Sequence, residues 1–215
     1  MALFSSPYGF KPISDQSGFA PRPVRLPYNP GVSGGIASGQ VGNIFKYQPV
    51  AINTATGTIV PVTNPGGVPQ KIYGIFSGVE YTPLGGRPAV SPYWPSGTVY
   101  DPTLDMLVYI WPFWLPSLRF KVQADGSVPQ ALLGSQFNIT NPVAGVINGG
   151  VGLSQATVGA AGVGAGAQGQ FALTEFATDV AVAGQGQSLP GDAFTDLIMT
   201  IALPQVGLGI QASAG

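Results

Sequence analysis

Apolar and polar positions alternate most cleanly along Leu118-Arg119-Phe120-Lys121-Val122-Gln123, where every second residue is hydrophobic. A strand with one face buried and the other in water has that period of two. The surrounding stretch, 104–126 (LDMLVYIWPFWLPSLRFKVQADG), carries Trp111 and Trp114 together with Tyr109, Phe113 and Phe120. Large rings bury the most apolar area per residue, so the densest core is expected here. The uncharged run 106–118 is too short to span a membrane, and Pro112 and Pro116 interrupt it, which also argues against a helix. The pattern predicts strands over 106–111 and 118–123, joined by a bend at 112–117, with Ala124-Asp125-Gly126 as the closing turn.

Elsewhere the pattern is less regular but still strand-like. Segments 41–51 (VGNIFKYQPVA), 58–62 and 71–81 (KIYGIFSGVEY) are rich in β-branched and aromatic residues, and 53–57 and 64–67 read as turns. Segment 83–102 reads as a long loop holding Arg87, Tyr93 and Trp94. Residues 128–140 have apolar groups of strand or helix size, and 170–178 (QFALTEFAT) and 196–203 (DLIMTIAL) read as closing strands. The Gly/Ala-rich stretch 145–169 reads as an exposed loop for a partner to order; small residues permit tight turns and close backbone approach but build little core.

Residues 1–39 differ again. Six prolines between Pro7 and Pro30 fix φ and remove backbone donors, so neither a helix nor a central strand fits. Yet Phe4, Tyr8, Phe10, Phe19, Leu26 and Tyr28 are costly to leave in water. Such a segment is expected to lie extended along a surface, its own body's or a neighbouring subunit's. No long amphipathic helix and no regular repeat is evident. The expected fold is mostly β, a β-barrel or β-sandwich over 40–215, with an extended Pro-rich N-terminal arm over 1–39 and a Gly/Ala-rich loop at 145–169.

Composition adds a constraint. The 215 residues are 45% hydrophobic but only 8% charged, against roughly 25% charged in a typical globular domain. Charge keeps a lone soluble domain dispersed, so much of this surface is expected to be covered by other protein; the alternative is a monomer with a polar, uncharged surface. The 32 Gly and 21 Pro residues come near a disordered composition, but disorder goes with low hydrophobicity and high net charge. The net charge of −1 gives no general pull toward nucleic acid or anionic membrane. All eight basic residues lie at or before Lys121, with Asp15, Glu80, Asp101 and Asp105, so that part carries +4. The remainder holds Asp125, Glu175, Asp179, Asp192 and Asp196 and carries −5. The two parts are complementary within or between subunits, unless the split is chance. With neither cysteine nor histidine, no disulfide holds the fold. The opening MALFSSP lacks the basic and apolar regions of a signal peptide, so synthesis in a cytoplasm is expected.

Motifs that resemble chemistry fail on their context. Gly31-Val32-Ser33-Gly34-Gly35 matches G-x-S-x-G, but a nucleophilic serine of that kind needs a histidine base. The G-x-G-x-x-G at 164–169 lacks the strand before it and the helix after it that a dinucleotide site requires. The carboxylate pairs nearest in sequence, Asp101/Asp105 and Asp192/Asp196, are the only plausible acid–base set, and their Pro and Gly neighbours read as turn chemistry. Zinc would need oxygen ligands alone, and no spacing supports calcium. Asn138-Ile139-Thr140 is a glycosylation sequon without a secretory signal. No catalytic, cofactor-binding or metal-ligating residue is assigned, and no enzyme activity is expected.

Five short motifs carry a resemblance. Tyr8-Gly9-Phe10-Lys11-Pro12, the segment 74–82 (GIFSGVEYT), the segment 120–126 (FKVQADG), Gly152-Leu153-Ser154 and Gly191-Asp192-Ala193-Phe194 occur in the order seen in capsid decoration, or cement, proteins of tailed bacteriophages, which open with a (Y/F)GF(R/K)P motif. The chain resembles that family over most of its length. It departs at Ile198-Met199-Thr200-Ile201, where family members often have an Asn-containing segment and an "RIN"-type end. The resemblance implies a non-enzymatic virion protein of β-barrel-like subunits, a homotrimer on the outer surface of an icosahedral head. Its partners would be the phage major capsid protein and its own copies, with no nucleic acid, membrane or cofactor. The arm is then expected to contact capsid or sister subunit through Tyr8, Phe10, Lys11, Pro12, Phe19 and Tyr28. Trp111, Phe113, Trp114 and Phe120 are expected in the core or a subunit interface. The alternative is a tail, fibre or receptor-binding structural protein.

Overall fold

The computed structural model describes residues 5–14, 24–28, 35–64, 67–115, 117–164, 167–177 and 189–203, with the backbone alone at Ser14 and through 24–28. The strands among them are β1 (Lys11–Ser14), β2 (Val24–Tyr28), β3 (Pro49–Ile52), β4 (Ile59–Pro61), β5 (Gly74–Tyr81), β6 (Ala89–Ser91), β7 (Met106–Pro112) and β8 (Arg119–Gln123). They continue with β9 (Gln136–Phe137), β10 (Ile139–Thr140), β11 (Gly145–Asn148), β12 (Val151–Ser154), β13 (Thr157–Val158), β14 (Phe171–Phe176) and β15 (Asp196–Ile201). A short 3-10 turn, Gln130–Leu132, lies between β8 and β9.

A five-stranded sheet has the order β1-β8-β15-β14-β9, and a six-stranded sheet has β2-β7-β5-β3-β4 with β6 on β5; β10 pairs β13 and β11 pairs β12. All of these pairings are antiparallel. The two large sheets contribute to one shared core, and among the described residues neither sheet closes on itself, so the molecule is a mostly β sandwich. The predicted alternation holds on β8: Phe120 and Val122 are fully buried, whereas Arg119 and Lys121 look outward. Phe120 and Val122 belong to one core cluster with Leu197 and Met199 of β15, Phe171 and Leu173 of β14, and Ala51, Ile75 and Trp111 of the opposite sheet. The predicted strand pair is seen, but β7 and β8 belong to different sheets. The proline-bearing bend between them therefore carries the chain across the sandwich.

The six-stranded sheet is buried on its other face too, which the sequence pattern does not reveal. On β7, Met106, Val108 and Ile110 point away from the sandwich core, into a second cluster with Ile44, Phe76, Val79 and Trp94. The expected long loop at 83–102 is the lid of that cluster. It contains β6, and Trp94 is held by a two-way backbone bridge with Ile44, 2.8 and 2.9 Å. Its ring is fully buried between Tyr81 at 4.8 Å and Tyr100 at 6.3 Å. A loop with so large an anchor is a packed layer.

The Pro-rich arm supplies an edge strand to each sheet: β1 pairs β8 and β2 pairs β7. Proline is tolerated at an edge, where the missing donor faces outward. Between them these strands carry Pro12 and Pro27. Just before β1, Gly9 adopts φ +71°, and a Cβ there would strike Ser154 and the Tyr47 carbonyl. That turn inserts Phe10, which is fully buried, stacked on Phe171 at 4.2 Å and anchored by its N–H to the Tyr47 carbonyl at 2.9 Å. Phe10 was expected to touch capsid or sister subunit. It instead closes its own core, because stacking on Phe171 removes a whole ring from water within one chain.

A buried amide joins the sheet ends. Gln170 is fully buried; its Oε1 accepts from the Ile139 N–H (2.9 Å) and Asn64 Nδ2 (3.0 Å), and its Nε2 donates to Asn64 Oδ1 (2.8 Å) and the Gln70 carbonyl (2.7 Å). Every polar position of that side chain is satisfied, so its burial carries no uncompensated desolvation.

Two outcomes are expected. Phe10→Ala should cost about 3–5 kcal/mol, the usual range for emptying a buried ring site, measured by denaturant unfolding; a loss below about 1 kcal/mol would contradict the anchor role. Gln170→Glu places a carboxylate against two acceptors, which raises its folded pKa above the unfolded value of about 4.3. Its penalty is therefore absent below that pH and appears as pH rises. The variant should lose at least about 2 kcal/mol relative to the parent between pH 4 and pH 7, and a pH-independent difference would refute the network.

Candidate interaction surface

The Gly/Ala-rich stretch is more than the exposed loop expected: it folds β11, β12 and β13. Asn148-Gly149-Gly150-Val151 closes the β11–β12 hairpin, with φ of +56° and +81° at the two glycines. Two left-handed residues in a two-residue loop match the right-handed twist of the strands. The inner face carries Gly145, Gly152 and Ser154. Any Cβ on Gly145 would enter the Phe45 ring, and one on Gly152 the Tyr93 ring, so glycine lets the hairpin lie flat on both aromatics. Lys46 docks the outer edge of β12, donating its N–H to the Gly152 carbonyl and accepting from the Ser154 N–H, both at 2.9 Å.

The outward face breaks the ordinary rule. Register places Val146 opposite Leu153 and Asn148 opposite Val151. A solvent-facing hairpin surface is normally polar, yet three of these four residues are aliphatic, with Val146 46% and Val151 40% exposed. Ile147, near the turn, is 49% exposed. Beside the hairpin root, Val143 is 55% and Val41 86% exposed. They flank a groove of about 650 Å³, also lined by Phe45, Val60, Pro61 and Gly145, with no charged residue in its walls.

Charge is placed elsewhere. On the outward face of the five-stranded sheet, Arg119 pairs with Glu175 at 3.3 Å and Lys121 with Asp196 at 3.0 Å. Each pair joins the basic earlier part of the chain to its acidic later part, within one subunit. Exposed pairs of this kind add little stability, but they give that sheet a hydrated surface. The molecule thus has an ionic face and a largely aliphatic one, where Lys46 is in register with Leu153 at the edge of β12.

The residues singled out from the sequence divide accordingly. Tyr8 is half-buried, with Lys121 Nζ 6.0 Å from its ring centre. Lys11 is exposed in register with Lys121, and Pro12 is half-buried opposite Phe120. Phe19 lies outside the described residues, and Tyr28 is described by its backbone, paired with Met106. Trp111 and Phe120 are buried in the inter-sheet core. Phe113 and Trp114 are half-buried at the bend, where they meet Tyr73 at 5.8 and 5.6 Å and each other at 5.3 Å. Burial raises the Tyr73 pKa above that of an ordinary phenol.

The candidate carboxylates are turn residues. Asp101 Oδ1 accepts from the N–H (2.9 Å) and hydroxyl (2.6 Å) of Thr103, bonds that hold its pKa below the usual carboxylate value. Asp192 Oδ2 accepts from the Leu189 N–H at 2.7 Å. Among the described residues no cluster of three or more metal-ligating acids forms. Residues 31–34 of the G-x-S-x-G match, and 165–166 of the G-x-G-x-x-G match, lie outside the described residues. The hairpin surface was missed, although Gly149-Gly150 between two aliphatic runs is a two-residue turn signal.

Comparison with protein-family models, with curated proteins and with solved structures found no match to this chain.

Replacing Val146 and Val151 together by Lys should change unfolding stability by no more than about 0.5 kcal/mol per site, as at other exposed positions, while lowering self-association in light scattering. A loss well beyond that would place both side chains in the core.

Proposed function

We propose that this chain is a structural virion protein that decorates the outer surface of an icosahedral phage capsid and cements neighbouring major capsid proteins, acting as a homotrimer. The observation that carries the reading is the outward aliphatic face of the β11–β12 hairpin, on a body whose own core is already closed. An apolar patch of this kind on a finished sandwich marks a site for protein contact. Its attraction is burial of apolar area, at about 25 cal/mol per Å², and is little weakened by salt.

The motifs behind the family resemblance support the same reading. Gly9 and Phe10 turn the arm into the core. The 74–82 motif runs along β5, whose Gly74 lies against Ile110 and Trp111. The 120–126 motif runs along β8 into its turn, with Phe120 and Val122 inward, and Gly152 rests on Tyr93. Gly191, at φ +93°, makes the turn that leads into β15. The glycines and rings named here thus have turn or packing roles in this sandwich. Since Phe10 is internal, capsid contact falls to the hairpin face and the half-buried Phe113 and Trp114. Lys11, in register with Lys121, belongs to the ionic face. Many weakly held copies then act together on one shell.

The test is to add purified protein to phage heads that lack it and to measure what co-sediments. Binding should reach a stoichiometry near that of the major capsid protein and persist at about 1 M salt, where the screening length is about 3 Å. The Val146→Lys, Val151→Lys variant should bind at least tenfold less. A few copies per particle, located on the tail, would instead fit a tail or receptor-binding part, and undiminished binding by the variant would remove the hairpin from the contact.

A further inference from the structure

The tip of the β11–β12 hairpin places the one Asn-Gly pair of the sequence in an exposed turn. Of the seven asparagines, Asn29, Asn64 and Asn141 precede proline, Asn43, Asn53 and Asn138 precede Ile or Thr, and Asn148 precedes Gly149. A backbone nitrogen attacks the side-chain carbonyl of the residue before it only when it carries an N–H and has room to approach. Proline has no N–H, and a β-branched side chain crowds the approach. Glycine imposes neither obstacle.

The structure leaves that approach open at Asn148. Asn148 and Gly149 are both exposed, and register with Val151 holds Asn148 at the end of β11. Neither the Asn148 side-chain amide nor the Gly149 N–H makes a hydrogen bond among the described residues. A Cβ on Gly149 or Gly150 would meet nothing within 4 Å, so the space over the turn is free for a ring to close. The Asp-Gly pair of the chain, Asp125-Gly126, is arranged in the opposite way. Asp125 Oδ1 accepts from the Ala160 N–H at 2.8 Å, its own N–H donates to the Val158 carbonyl at 2.9 Å, and a Cβ on Gly126 would lie 3.0 Å from the Ala160 Cβ. Asn43 and Asn53 are also tied, their Oδ1 atoms accepting from the Ser96 N–H (2.8 Å) and the Ala55 N–H (3.0 Å).

We propose that Asn148 is a site of spontaneous covalent modification, its amide converted to a carboxylate through a cyclic imide formed with Gly149. The Gly149 nitrogen gives its proton to solvent and bonds to Asn148 Cγ; the Cγ–Nδ2 bond breaks, and Nδ2 takes up a proton and leaves as ammonia. Water then opens the imide, leaving its oxygen on a carbonyl carbon and returning a proton to the Gly149 nitrogen. Breaking the bond from that nitrogen to Cγ gives aspartate. Breaking its bond to the backbone carbonyl carbon gives isoaspartate, with the chain running through Cγ. Either product takes the net charge from −1 to −2 and sets the new carboxylate at the position opposite Val151, on the aliphatic side of the hairpin. Isoaspartate also lengthens the backbone beside the turn, which a two-residue loop does not absorb without loss of register. The inference does not rest on the capsid reading.

The test uses the purified full chain, kept folded in mildly alkaline buffer and followed by peptide mass mapping. Amide should turn to acid at Asn148 at least about tenfold faster than at Asn43, Asn53 or Asn138, each of which precedes a β-branched residue. A smaller margin would overturn the proposal. The native rate at Asn148 should be no less than about one-tenth of its rate in denaturing urea; stronger protection would mean that the folded hairpin keeps the amide from Gly149, and the proposal would fail. Isoaspartate should accompany aspartate, detected through its methylation by an isoaspartyl methyltransferase, and aspartate alone would refute the imide route. Asn148→Gln, which leaves Gly149 and the turn in place, should remove the acidic species on native isoelectric focusing. Persistence of that species in the variant would move the reaction elsewhere in the chain and overturn the assignment.

Discussion

The Phe171 ring is the contact on which the sandwich depends. It stacks on Phe10 at 4.2 Å and meets Phe120 edge-on at 6.5 Å. Through those two contacts it ties the arm, β8 and β14 into one core, across more than 150 residues of chain. Apolar burial carries this long-range closure: the chain has no cysteine, and among the described residues the ion pairs between its basic and acidic parts, Arg119–Glu175 and Lys121–Asp196, lie on the outward face. Once Phe10 is seated, β1 lies in register along β8 and the five-stranded sheet acquires its edge.

Polar groups inside follow the same economy of charge. Neutral amides take the interior positions. Gln170 joins Asn64, Gln70 and Ile139; Gln48 accepts from the Phe45 N–H and donates to the Pro142 carbonyl; Gln123 accepts from the Ser6 N–H. Each amide both donates and accepts, so a single side chain can satisfy a carbonyl and an N–H on separate segments. A buried carboxylate or ammonium could do only half of that and would carry a large desolvation cost. The low charge count is thus compatible with amide side chains bridging segments in the interior, although the indole N–H groups of Trp94 and Trp111 are buried without a hydrogen-bond partner among the described residues.

The aliphatic hairpin face and the ionic sheet surface give the subunit two chemically different sides. On the proposed reading, the ionic side would face water and the aliphatic side the shell. The candidate acids Asp101 and Asp192 are committed to turns.

What the sequence by itself determined is the local order. Period-two alternation marked β8, β-branched and aromatic runs marked β5 and β7, and the prolines excluded a helix from the arm. The charge deficit pointed to contact with protein. Tertiary structure alone decided which rings those strands face. Trp94 reads as a loop residue but is a fully buried anchor, and Phe10 reads as a contact for a partner but is internal. The Gly/Ala-rich stretch folds as a hairpin because Phe45 and Tyr93, about 100 and 60 residues earlier, offer flat surfaces that only glycine can approach closely. Periodicity records whether a residue has a buried side. It is silent on which distant segment covers that side, since that depends on contacts made only when the chain has closed on itself.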